Sequence, residues 1–410
     1  MKRLVLTYIA FRTILLAFYN VYPLPGLRVT DLVGAVLPLF LLFYYFENRR
    51  PFSKWQKKIL LLMSWAILSS LVVFLSYEMN FMVLLKQLFK ILSGVAVYIA
   101  FPLIFKNEKD VNLLTNAFLI STIFPGLQVG AQYFLGANVL GLKADVVGDN
   151  IVMFSGVYGN YGVFGIISWI GSLCVIIKLG LTQKKRLFYT SLFILYLLIG
   201  FLTLSRTIVI LMFVILLGLL TLLVKSRKGG IFILFILLGF IAVNSPVVQY
   251  SYEKLKKRSK NEIEVLTGER DIVYGMHGRI GRWDKNLSRF FSEYDIFEQM
   301  VGTDLYIGPH GDYFFWLFSH GFIGLLIYLS FIISLFFYVK TRLKGVRDIF
   351  YKYYGTAVFL GIIVWMIMAI STNPSFMPDV GYFILGNSAI FLSISKYRNK
   401  NSTGVVKNGG

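Results

Sequence analysis

The sequence predicts an all-α fold, a polytopic transmembrane helix bundle of about 12 helices with one large external loop that contains short helices. Three observations lead there. Of the 410 residues, 57% are hydrophobic and only 15% are charged, where a soluble domain carries roughly 25% charged residues. The apolar residues come in runs of about 17 to 25, the length that carries a helix across a hydrocarbon core. The connecting segments alternate between basic and balanced charge, the pattern that orients membrane proteins.

In chain order the apolar runs are 4–22, 29–46, 59–76, 81–105, 111–135, 158–177, 187–204, 207–224, 231–246, 311–338, 353–371 and 379–395. The first run shows no small-residue cleavage pattern before Pro23, so it is expected to remain as a span and not to leave as a signal peptide. The stretch 187–224 is nearly continuous and is divided at Leu204-Ser205-Arg206-Thr207, because it is too long for one crossing and the flanking charges demand two. The run 81–105 carries Lys86 and Lys90. Either these face a polar cavity, or residues 79–90 lie at the interface and the true span is shorter.

Starting from a cytoplasmic N-terminus at Lys2 and Arg3, the segments expected inside hold Arg49, Arg50, Lys54, Lys57 and Lys58, then Lys178, Lys184, Lys185 and Arg186, then Lys225, Arg227 and Lys228. Further along come Lys340, Arg342, Lys344, Arg347 and Lys352, and finally Lys396, Arg398, Lys400 and Lys407. With their acids counted, these segments carry the whole net charge of +21. The basic excess therefore reads as topology and not as a nucleic-acid surface. The resulting layout is helices one to nine in 1–246, a large extracytoplasmic loop in 247–310, helices ten to twelve in 311–395, and a cytoplasmic tail in 396–410, whose polar stretch from Asn399 is expected to be disordered. Cys174 is the one cysteine, so no disulfide within the chain can shape the loop.

The chain lacks a phosphate-binding glycine loop with lysine, HExxH, CxxC and a nucleophile elbow, which argues against a membrane ATPase, a zinc protease and a serine hydrolase. No metal or cofactor is expected. What remains is arginine, histidine and aromatic residues on the outer side. Arg206 stands between two spans, where it either snorkels to lipid phosphate or serves a site. Residues 279–291 read as an amphipathic helix with Arg282, Lys285, Asn286 and Arg289 on one side and Ile280, Trp283, Leu287, Phe290 and Phe291 on the other. Arg279 lies at the boundary. Such a helix either rests on the membrane surface or aims its guanidinium forks at a phosphate.

His310 follows Pro309 at the start of a helical pattern, where a first-turn position keeps an imidazole neutral and suited to act as a base. Asp312 shares that first turn and suits the helix dipole. On a helix at 100° per residue, His310, Tyr313/Phe314, Leu317, Gly321 and Gly324 share a face, and the two glycines permit the close approach of a neighbour. His277 and His320 read as structural. Trp283, Tyr313 and Trp316 suit sugar stacking and core packing equally.

The order of these pieces resembles a known family. SGVYGNYGVFG (155–165) is followed by LSRT (204–207), a large outer loop with Gly278, Arg279 and Trp283, VGTD (301–304), and then His310 with Gly321 and Gly324. This is similar to the bacterial O-antigen ligase/polymerase superfamily, that is, Wzy-type polymerases and the related ligases. Asn150 and Gly159-Asn160-Tyr161 stand where the family often has an arginine and an Asn-Pro-Asn, and Gly311 stands where Asn, Ser or Gln often follows the histidine.

The resemblance implies a GT-C-like fold in the bacterial cytoplasmic (inner) membrane and a glycosyltransferase that polymerises repeat units for O-antigen, capsule or exopolysaccharide. Donor and acceptor would be undecaprenyl-diphosphate-linked glycans, with a flippase and a chain-length regulator as partner proteins and no nucleic acid. By matching motif, Arg206 and Arg279 would bind the diphosphate, and His310 would be the base or orient the acceptor hydroxyl. Arg282, Arg289, Trp283, Asp312 and Tyr313 complete the expected substrate-binding set. A ligase acting on lipid A core, and a transporter of lipid-linked oligosaccharide, are the alternative readings.

Overall fold

A computed structural model describes residues 1–16, 18, 28–48, 50–76, 81–136, 138–139, 142–147, 151–156, 161–182, 184–225, 249, 252–256, 259–269, 271, 275–303, 311–374 and 377–403. The apolar run 231–246 and the tail from 404 lie outside the described residues. A helix lies at each of the other eleven predicted apolar runs: α1 (Lys2–Leu16), α2 (Val29–Glu47), α3 (Lys54–Ser76), α4 (Phe81–Ile104), α5 (Glu108–Leu135), α6 (Tyr161–Leu181), α7 (Arg186–Leu202), α8 (Arg206–Lys225), α12 (Asp312–Lys344), α13 (Ile349–Ser371) and α14 (Pro378–Thr403). Three shorter helices lie in the long segment before α12: α9 (Lys260–Leu266), α10 (Gly275–Ser292) and α11 (Ile296–Val301).

Seven helices among the described residues are long and apolar enough to cross a membrane. In hydrocarbon every backbone polar group must be satisfied within the protein, and helices do this segment by segment. Exposed side chains such as Phe43, Leu75, Leu127, Phe134 and Leu326 would be a liability in water but suit a lipid-facing surface. The chain is a helical, multi-pass membrane protein.

One departure from the helical pattern is a two-stranded antiparallel ribbon, β1 (Lys143–Val147) and β2 (Ile151–Gly156), in the loop between α5 and α6. β2 packs on both of those helices.

The bundle is built around α6, which packs on α5, α7, α8 and α13. Its Trp169, Leu173 and Cys174 are fully buried, and its buried serines turn their hydroxyls back onto their own helix, Ser168 to the Gly165 carbonyl (2.7 Å) and Ser172 to that of Ser168 (2.9 Å). The first and last helices are joined by charge. Arg12 of α1 pairs with Asp379 of α14 and lies between the rings of Tyr8 and Tyr382, 5.5 and 5.4 Å from their centroids. Next to this pair, Pro125 interrupts α5. A proline donates no bond to the carbonyl four residues back, and the Thr13 hydroxyl of α1 donates to that carbonyl, Ser121 O, at 2.6 Å. A cavity of about 40 Å³ remains beside Arg12, Thr13, Ser121 and Asp379.

The predicted single span at 311–338 is corrected. α12 is two limbs, 312–320 and 322–344, that meet at Gly321 with φ 68° and ψ −174°. The Asp312 carboxylate accepts from Tyr328 Oη at 2.7 Å, and Trp316 stacks on Tyr328 at 5.1 Å. A straight helix would hold residues 312 and 328 about 24 Å apart along its axis, so the first limb doubles back along the second. The expected glycine-lined face running from 310 to 324 is therefore broken. A Cβ at Gly321 would strike the Met300 carbonyl at the end of α11, and one at Gly324 would lie 3.1 Å from Nε1 of Trp65 on α3. Close approach occurs at both glycines as the spacing suggests, but to two different neighbours.

Lys86 and Lys90 both lie in α4, Lys86 partly buried and Lys90 exposed.

Candidate functional site

The segment that closes α13, Ser371-Thr372-Asn373, ties two of the sequence motifs together. Ser371 Oγ shares a hydrogen bond with Thr207 Oγ1 at 3.1 Å, one residue from Arg206 at the start of α8. The Thr372 carbonyl accepts from the Asp312 N–H at 3.0 Å, and Asn373 Oδ1 accepts from the Gly311 N–H at 2.8 Å. Motifs about a hundred residues apart in the chain thus converge on three consecutive residues. Sequence reasoning missed this segment, although a Ser-Thr-Asn-Pro cluster closing an apolar run was its visible signal.

His310 lies outside the described residues, as do Asp304, Gly308, Pro309 and Gly159-Asn160. The residue that follows it, Gly311, is fixed on both sides. Its φ is 141°, and a Cβ there would lie 2.8 Å from the Ile370 carbonyl and 3.2 Å from that of Ala369. Asn, Ser or Gln at this position would clash with backbone, so Gly311 follows from how tightly the turn is pressed against α13.

Asp312 is fully buried. It accepts from Tyr328 Oη at 2.7 Å and from Trp365 Nε1 at 3.4 Å, and Trp365 Nε1 also donates to Tyr328 Oη at 3.2 Å. The expected contact of Asp312 with substrate is corrected, because its carboxylate is enclosed and anchors the fold-back. Tyr313, partly buried, donates to the Met366 carbonyl at 3.0 Å. Trp316 is 1% exposed and belongs to the core, which removes it as a sugar platform.

The amphipathic helix expected at 279–291 is α10. Its apolar face is partly covered by protein: Trp283 stacks on Phe314 at 4.8 Å, and Phe290 meets Phe318 and Phe322 at 5.5 and 5.6 Å, while Phe291 stays exposed. Trp283 is therefore committed to the first limb of α12. Arg282 and Lys285 are exposed, and Arg279 and Asn286 are partly buried. Arg289 is bonded to Glu293 at 3.0 Å, and its guanidinium lies 5.6 Å from the Tyr294 ring centroid, which directs it along its own helix. Arg206, partly buried, opens α8. Among the described residues no group of His, Cys, Asp and Glu is arranged to hold a metal ion.

The bend itself is held from two sides. Gly302, at the end of α11, has φ 93°, and a Cβ there would lie 2.5 Å from Ser319 backbone. The next residue, Thr303, donates its N–H to the Phe318 carbonyl at 3.1 Å. From α3, Trp65 Nε1 donates to the His320 carbonyl at 3.0 Å, and Ser69 Oγ shares a 2.6 Å bond with His320 Nδ1. A bend costs a helix its next intrahelical bond, and an indole donor from a neighbour replaces it. His320, fully buried, is structural, as its sequence context suggests.

Compared with known proteins, the chain matches no family model and no curated sequence.

Proposed function

We propose that this protein is a membrane glycosyltransferase of about 12 spans and GT-C-like arrangement that joins undecaprenyl-diphosphate-linked oligosaccharide repeat units on the outer face of the bacterial cytoplasmic membrane. The observation that carries the reading is the convergence of the Arg206 and Gly311 segments on Ser371–Asn373, with Trp283 packed on the same limb of α12. Residues of, or next to, three sequence motifs (Thr207, Trp283 and Gly311) thus meet around the first limb of α12 and the end of α13. Reaction at an anomeric carbon with a diphosphate leaving group needs fixed cations where charge develops and a neutral base beside the acceptor hydroxyl. Arg206 and Arg279 supply the first and His310 the second. The acceptor oxygen bonds to the anomeric carbon, the bond from that carbon to the diphosphate oxygen breaks, undecaprenyl diphosphate leaves, and His310 takes the hydroxyl proton.

The test is incubation of the purified protein with lipid-linked repeat units alone. A ladder of longer glycans is expected, lost in His310→Ala and Arg279→Ala. A ladder unchanged in both variants would remove the site assignment. Product formed only with added lipid A core would make the protein a ligase, and movement of the lipid across vesicles without new glycosidic bonds would make it a transporter.

A further inference from the structure

At the basic end of the bundle, away from Ser371–Asn373, a cavity of about 170 Å³ opens between the end of α2, the start of α3, the end of α4 and α14. Arg50 lines it, and among the described residues its guanidinium has no hydrogen-bond or ion-pair partner. Gln56 also lines it and is only 9% exposed. Its Oε1 accepts from the Ser53 N–H and hydroxyl at 3.0 and 2.8 Å. That fixes the amide's orientation and leaves the Nε2 donors without a protein partner among the described residues. α3 begins in the same wall; there the Ser53 and Gln56 N–H groups are bonded within the turn, which leaves those of Lys54 and Trp55 at a helix end whose dipole favours an anion. No acidic residue lines the cavity. Its remaining walls include Tyr45 and Trp55, aromatic side chains of the kind that collect at headgroup depth.

We propose that this cavity binds the phosphate of an anionic phospholipid from the leaflet at the basic end of the bundle. A guanidinium, a buried carboxamide and a helix N-terminus together recognise a phosphate diester. The aromatic walls and the position at the ends of spanning helices favour one carried on a lipid. The site is separate from the Arg206–Asn373 region and stands whether or not the glycosyltransferase reading does.

The test uses the full chain purified in a neutral detergent. Its thermal unfolding midpoint is followed while phosphatidylglycerol, phosphatidylcholine or inorganic phosphate is added. Phosphatidylglycerol is expected to raise the midpoint saturably and phosphatidylcholine to leave it unchanged. In Arg50→Gln and in Gln56→Leu the half-saturating lipid concentration should rise roughly tenfold, while Lys344→Gln, an exposed charge expected at the same end, should behave as the native chain. Equal shifts with both lipids, the full shift from inorganic phosphate alone, or equal weakening by Lys344→Gln would each overturn the proposal.

Discussion

Asp312 and Asp379 are two acids near the starts of α12 and α14, and the fold restrains them by different means. Asp379 meets a full charge: Arg12 reaches it from the opposite end of the chain, and the Asp379 side chain keeps 27% exposure. Asp312 is fully enclosed and accepts from an indole and a phenol. The first arrangement clamps two helices that no local interaction would bring together. The second sets the angle between two limbs of one helix. A buried ion pair is costly to break, because the surviving partner is left charged in a poor solvent. An acceptor of neutral hydrogen bonds can be exchanged for another acceptor at lower cost.

That difference can be broken by substitution. Asp379→Asn should cost about 3 kcal/mol, because Arg12 stays buried without its counter-ion. The midpoint of thermal unfolding in detergent measures it, and a double Arg12→Met/Asp379→Leu variant should recover part of the loss. A single variant as stable as the native chain would show that the pair is no clamp. Gly321→Ala should cost about 2 kcal/mol, since φ 68° with ψ −174° is a region almost confined to glycine, and the new Cβ meets the Met300 carbonyl. Under the proposed function the same variant should reduce ladder formation, because the first limb follows directly on His310 and Gly311 in the chain. Native stability would mean that the limbs can straighten. Asp312→Asn should be mildest, about 1 kcal/mol, because a carboxamide oxygen still accepts from Tyr328 and Trp365. A loss as large as that of Asp379→Asn would erase the contrast between the two acids.

The helices were legible because run length and flanking charge each carry the signal. Lys54–Ser76 and Ile349–Ser371 sit where the apolar runs at 59–76 and 353–371 point. The fold-back at Gly321 was not legible, since the chain is apolar on both sides of it and the helical period continues across it. What bends the chain there is the end of α11 pressing on the glycine and Trp65 accepting the duty of the lost donor, and both are tertiary. Arg12 is a charge inside an apolar run, the usual mark of a working residue in a membrane, but the reading of 4–22 as a plain span passed over it. Its partner was hidden by a sequence separation of 367. In the candidate site, the grouping of Arg206 with Arg279 and His310 came from the family-like order of motifs, whereas Ser371–Asn373, which bonds to Thr207 and Gly311 beside two of them, belongs to none of those motifs.

Cys174 lies wholly inside α6, with no exposed surface. The native chain is thus its own thiol-silent background. Single cysteines introduced at exposed positions such as Glu293→Cys between α10 and α11 and Lys344→Cys at the end of α12 can be read with a membrane-impermeant reagent, one face of the bilayer at a time, without first engineering a cysteine-free parent.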